Sequence, residues 1–210
     1  MTALTEPVEP VWYLAYGSNL WRDRFLCYVT GGRPPGASRT YPGCRDTTPP
    51  AADAAMVVGG RIAFGGESTV WGGGIAYLDP AADGVVAARA YLLSSSQLND
   101  VVCQETRQPP GTDLALGRGG RRIGRLPSPR GYDTVAHLGE RDGHPLLTIT
   151  SHQSRTPTAP SPSYLRAISR GLHEAHGWDA IRIADYLLLA AGVAGAWTRR
   201  ELASLLVQRG

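Results

Sequence analysis

The spacing of apolar residues changes character once along the chain, and that change limits the folds open to it. As far as residue 150 most apolar residues come in short runs of strand length, whereas from Tyr164 onward they recur at helical spacing. Trp12 to Ala15 reads as a short buried strand running directly into Gly-Ser-Asn. Leu20, Phe25 and Leu26 then continue as a helical turn. Arg61 to Phe64, Gly74 to Leu78 and Val85 to Leu93 read as further strands, the last carrying Val85, Val86 and Tyr91. Residues 30–54 are broken by prolines and are expected to be mostly irregular. Ser94-Ser95-Ser96 offers N-cap chemistry to a short helix bearing Leu98, Val101 and Val102 and ending near Glu105. Tyr132 to Leu138 and Pro145 to Thr150 pair as a hairpin about Glu-Arg-Asp-Gly. Helices are expected from Tyr164 to His176 and from Asp179 to Ala190, and Thr198-Arg199-Arg200-Glu201 is a capping box opening a last one. Strands first and helices last predict an α+β fold.

With 42% of 210 residues hydrophobic, the chain can bury one full core. One domain is therefore expected over residues 1–210, with a tail at 1–11, an Arg/Gly-rich loop at 107–131 and C-terminal helices at 164–208. The longest apolar run, Tyr186 to Trp197, stops at twelve residues, short of a membrane span. The opening MTALTEPVEP has neither a basic start nor an apolar stretch, so no signal peptide and a cytoplasmic location are expected. Cys27, Cys44 and Cys103 form no CxxC pair and read as reduced thiols.

All 21 basic residues are arginine, which excludes a lysine nucleophile or Schiff base. Residues 107–130 hold six Arg and one Asp, so the positive charge is concentrated there. That stretch lacks interleaved aromatics, which counts against nucleic acid as a partner. His173 and His176 sit in His-Glu-Ala-His, one residue short of HExxH; this reads as a polar helix face rather than a metal site. Ser18 has no GxSxG surroundings, which argues against a serine hydrolase. Two features remain. A strand ending in Gly17-Ser18-Asn19 exposes successive backbone N–H groups suited to a carboxylate or oxyanion. Glu105 closes an apolar helix, where burial would raise its pKa and make it a usable base.

Four stretches in order carry a resemblance: YLAYGSNL (Tyr13 to Leu20), ESTVWGGGIAYL (Glu67 to Leu78), VVAARAYLLSSSQLNDVVCQE (Val85 to Glu105) and APSPSYLRAI (Ala159 to Ile168). Together, over roughly residues 12–187, the chain resembles the gamma-glutamylcyclotransferase family. The resemblance implies a small mixed β-barrel flanked by helices, with a cavity at one mouth. It implies that Glu105 is the catalytic acid/base and that Tyr13, Leu14, Ala15, Tyr16, Gly17, Ser18 and Asn19, with Tyr164, hold the substrate. The reaction implied is release of 5-oxoproline from a γ-glutamyl amide, with a small-molecule substrate and neither metal nor cofactor; a homodimer is compatible with it. The chain departs from the family's usual residues at Val101-Val102, Thr106 and Leu147. Those departures keep open an alternative, a binding module that holds a small carboxylate without turning it over.

Overall fold

In the computed structural model, residues 9–34, 39–116, 126, 131–153 and 155–207 are described. In chain order they form β1 (Pro10–Ala15), a 3-10 turn (Ser18–Leu20), α1 (Arg22–Thr30), β2 (Ala52–Gly59), β3 (Arg61–Gly65), β4 (Ile75–Asp79), β5 (Val85–Ser94) and α2 (Ser95–Glu105). β6 (Thr134–Arg141), β7 (His144–Thr150), α3 (Pro162–His176), α4 (Ala180–Leu188) and α5 (Arg199–Val207) follow.

β1 lies at the centre of a five-stranded sheet ordered β2-β5-β1-β7-β6. It runs antiparallel to β5, with Tyr13 opposite Tyr91, and parallel to β7, with Tyr13 opposite Leu147. A central strand is covered on both faces, which is why its sequence is apolar throughout rather than alternating. Its side chains still divide by parity. Trp12, Leu14 and Tyr16 join a core with Leu165, Ile168, Leu172 and Leu187 of α3 and α4. Val11, Tyr13 and Ala15 join a second core with Phe25, Tyr28, Leu98 and Val102 of α1 and α2. Helices therefore pack on both faces, and the α+β expectation holds.

The closed barrel does not form among the described residues. β3 and β4 make a separate two-stranded sheet. Where a barrel would need β4 paired to β7, one side chain bridges the gap: the Thr150 hydroxyl accepts from Leu78 N–H at 3.1 Å and donates to Leu78 O at 2.6 Å. A hydroxyl with one donor and two lone pairs can serve both backbone groups of an unpaired residue, but at that residue only.

Other departures from the sequence reading are local. β2 falls where irregular chain or no element was expected; its alanines carry little strand propensity, and pairing with β5 along its whole length supplies the order. β1 begins at Pro10, inside the stretch expected as a tail. The turn after β1 leads into a full nine-residue helix. The capping signals were read correctly. Ser94 accepts from Gln97 N–H at 3.1 Å while Gln97 Oε1 accepts from Ser94 N–H at 3.1 Å. Thr198 and Glu201 make the same reciprocal pair at α5. Of the Arg/Gly-rich stretch, residues 117–125 and 127–130 lie outside the described residues, as do 1–8 of the tail and 208 of the last helical span. No described helix is long and apolar enough to cross a membrane.

Candidate active site

β1 ends against a cavity of about 650 Å³, and the turn that follows it forms one wall. The first hydrogen bond of that turn runs from Leu20 N–H to Gly17 O at 3.0 Å, so the amides of Ser18 and Asn19 have no partner within it. α3 presses on the turn from behind. Gly171 makes this approach feasible, because a Cβ there would run into the backbone of Leu20 and Trp21. Gly17 is needed for a similar reason: a Cβ on it would lie 2.9 Å from the Tyr164 hydroxyl.

Tyr164 enters from the first turn of α3, which Ser161 caps by accepting from Tyr164 N–H at 3.3 Å. Its hydroxyl accepts from Ala76 N–H at 3.3 Å, and its ring stacks on Trp71 at 5.8 Å between centroids. Burial pushes its pKa up to about 12, so the phenol stays neutral and able to donate.

Glu105 arrives from the opposite side as the last residue of α2, half-buried and lining the cavity. Its Oε1 accepts from Asn19 Nδ2 at 2.9 Å, and the same amide nitrogen lies 3.2 Å from the Tyr13 hydroxyl. Asn19 is pinned from a third direction, its carbonyl accepting from the Tyr91 hydroxyl at 2.8 Å. A carboxylate at a helix C-terminus faces the negative end of the helix dipole, so the helix does not gain stability from having it there.

The second carboxylate of the lining, Glu67, is exposed. Arg24 of α1 also lines the cavity, 3% exposed. The site thus combines a half-buried carboxylate, turn amides with no partner within their own turn, a neutral phenol and a buried guanidinium around one hollow.

No protein-family model matches the chain. Among solved structures, a gamma-glutamyl cyclotransferase superposes on 95% of this chain and 100% of its own, with a TM-score of 0.54 and 18% identity. An uncharacterized human protein superposes on 80% of this chain and 81% of its own, at a TM-score of 0.51 and 21% identity. The chain has the gamma-glutamyl cyclotransferase-like fold. Among curated proteins, histone deacetylase 5 of Arabidopsis thaliana is 33% identical over an alignment 185 positions long that covers 78% of this chain. The chain spans 28% of that protein's length, and the name describes the longer protein.

Within this cyclotransferase-like fold, Tyr13, Ala15, Tyr16, Gly17, Ser18, Asn19, Glu105 and Tyr164 meet around the cavity. Leu14 does not. It is fully buried among the α3-side core residues, because consecutive side chains of a strand point to opposite faces. Its carbonyl is taken by the Thr148 hydroxyl at 2.7 Å. Tyr16 forms wall rather than a free donor, its hydroxyl bonding Ile149 O at 2.7 Å. His173 and His176 lie elsewhere: His173 Nδ1 is 2.9 Å from Trp178 O, and His176 Nε2 is 2.9 Å from Ala88 O. They fasten α3 to its neighbours.

The departures at Val101 and Val102 are explained by packing, both being fully buried under α2. Thr106 closes the helix by donating to Val102 O at 2.8 Å. Leu147 is buried in the core beside Tyr13. Sequence reasoning missed Arg24, Tyr28 and Tyr41. Arg24 and Tyr28 are four apart on one helical face, a spacing visible in the sequence, but an arginine in a helix ordinarily reads as a solvated residue.

Proposed function

We propose that the protein cleaves a γ-glutamyl amide by intramolecular cyclisation, releasing 5-oxoproline and an amine, with Glu105 as general acid and base. The observation that carries this reading is the 2.9 Å hydrogen bond from Asn19 Nδ2 to Glu105 Oε1. It joins the carboxylate to the turn whose residues Gly17, Ser18 and Asn19 line the same cavity. The likeness in fold to a gamma-glutamyl cyclotransferase supports it.

The chemistry asks little of the protein beyond positioning. A γ-glutamyl group carries its own nucleophile, because its α-amine can close a five-membered ring on its γ-carbonyl. Holding the chain curled is worth much: effective molarities of about 10⁵–10⁸ M are reached in well-oriented cyclisations. The α-ammonium must first lose a proton, which Glu105 takes. The amine nitrogen then bonds to the γ-carbon, and the carbonyl electron pair moves to oxygen. The Ser18 and Asn19 amides are the donors available to that oxyanion, and losing one such donor typically costs about 3–4 kcal/mol of barrier. As the carbonyl re-forms, the bond to the leaving nitrogen breaks and Glu105 returns its proton to it; the ring nitrogen then gives up its second proton to the freed carboxylate, from which it passes to the released amine. One carboxyl serves both steps. Tyr164, neutral by burial, is a donor for the substrate's polar atoms.

The test is incubation with a panel of γ-glutamyl amides, with 5-oxoproline detected by mass. Release of 5-oxoproline that depends on Glu105 supports the reading. Ligands bound and recovered unchanged by the whole panel would instead favour a carboxylate-binding module.

A further inference from the structure

Arg24 is an arginine in an unusual setting. It is the third residue of α1, where a cation faces the positive end of the helix dipole. Its side chain is 3% exposed, yet it lines the cavity. Three rings surround the guanidinium: Trp71, Tyr28 and Tyr41, with centroids 5.1, 5.3 and 5.5 Å from Cζ. Ring faces attract a cation but leave its N–H groups without conventional acceptors. Nη2 donates to the Tyr41 hydroxyl at 3.2 Å, whereas Nε and Nη1 have no hydrogen-bond partner among the described residues. Nor does Arg24 form an ion pair among them. A buried cation with open donors is expensive unless an anion completes it.

We propose that Arg24 is the seat of the substrate's α-carboxylate. The inference rests on the cyclisation reading, in which the α-amine must lie beside Glu105. The α-carboxylate shares a carbon with that amine, so its partner must be a cation close to Glu105. Arg24 and Glu105 line the same cavity, and the nearby carboxylate favours the charged guanidinium. The other lining arginines are more exposed, and two are already engaged: Arg107 bonds Thr69 Oγ1, and Arg155 bonds Gly131 O at 2.9 Å. The planar guanidinium presents a pair of donors that matches two carboxylate oxygens, which an ammonium could not do. Carboxylate at Arg24 and amine at Glu105 would also select one enantiomer of the glutamyl head.

Calorimetric titration with 5-oxoproline and with its carboxamide tests this without turnover. The wild-type protein is expected to bind 5-oxoproline about tenfold or more tightly than the neutral amide, and Arg24→Gln to abolish the preference. Equal wild-type affinity for the two ligands, or binding of neither, overturns the proposal and needs no variant to fold. So does a folded Arg24→Gln protein that keeps the preference. The two readings fail separately. If the wild type makes 5-oxoproline but shows no preference for the acid, the seat is wrong and cyclisation stands. If it prefers the acid through Arg24 but makes no 5-oxoproline, the seat stands and cyclisation is wrong.

Discussion

Asn19 Nδ2 and Glu105 Oε1 are 2.9 Å apart although 86 positions separate them in the chain. The bond ties the end of a helix on one face of the sheet to the turn that leaves its central strand. Both chemical elements of the site are therefore aligned by one contact, and each can be perturbed in turn.

Glu105→Gln keeps an oxygen that can accept from Asn19 but removes the proton carrier. The variant is expected to keep the wild-type circular dichroism spectrum and melting temperature. Release of 5-oxoproline is expected to fall by about 10²–10⁴-fold, the range for a lost general acid/base. Wild-type rates in this variant would remove Glu105 from the chemistry.

Gly17→Ala tests the close approach of Tyr164. The new Cβ would lie 2.9 Å from the phenol oxygen, so Tyr164 must move and its bond from Ala76 N–H is disturbed. A loss of about 1–3 kcal/mol in unfolding free energy is expected, as for other overpacked sites. Urea titration measures it.

Gly171→Ala acts from the far side of the same turn. Its Cβ collides with the backbone of Leu20 and Trp21, which cannot rotate away. The helix must draw back from the turn, so a stability loss of about 1–3 kcal/mol or more is expected, accompanied by reduced activity. Full activity in a folded variant would show that α3 does not hold the turn in place.

Acid stability should reflect several carboxylates outside the cavity, Asp100 and Asp133 among them. Burial pushes the pKa of Asp100 upward, but the guanidinium and N–H of Arg45 and the N–H of Gly111 outweigh this and leave it below the ordinary 3.8. Asp133 is likewise opposed by burial and lowered on balance by Thr134, His152, Ser151 and Gln153. A depressed folded-state pKa means stability that is fully present above the unfolded value near 3.8 and drains away as pH falls through the folded value. Urea midpoints should hold between pH 7 and 5 and fall below about pH 4. Asp133→Asn should lower the midpoint at pH 7 and flatten that fall.

Much of the architecture is readable from local pattern because the deciding interactions are local. Helix caps at Ser94 and Thr198 are three-residue devices, and the hairpin of β6 and β7 closes over a turn whose sequence, Asp142-Gly143, announces it. β2 was not readable, since its order comes from lying along β5, more than thirty positions away at its first pair, Ala52 with Leu92. Glu105 and the Gly17–Asn19 turn were singled out by residue type and position. Arg24 was passed over because nothing nearby in the chain foretells that Tyr41 and Trp71 will close over it.

The amino-acid order alone determined the division into an early sheet and late helices, the helix boundaries set by capping, and the small set of groups capable of acid–base and oxyanion chemistry. Only the tertiary structure decided which of those groups meet. It directed Leu14 into the core while Tyr13 and Ala15 faced the cavity, drew Glu105 to Asn19, and enclosed Arg24 with no ion pair among the described residues. The reason is physical. Strand alternation and capping act over a few residues, whereas the environment of a side chain is set by whatever the remainder of the chain packs around it.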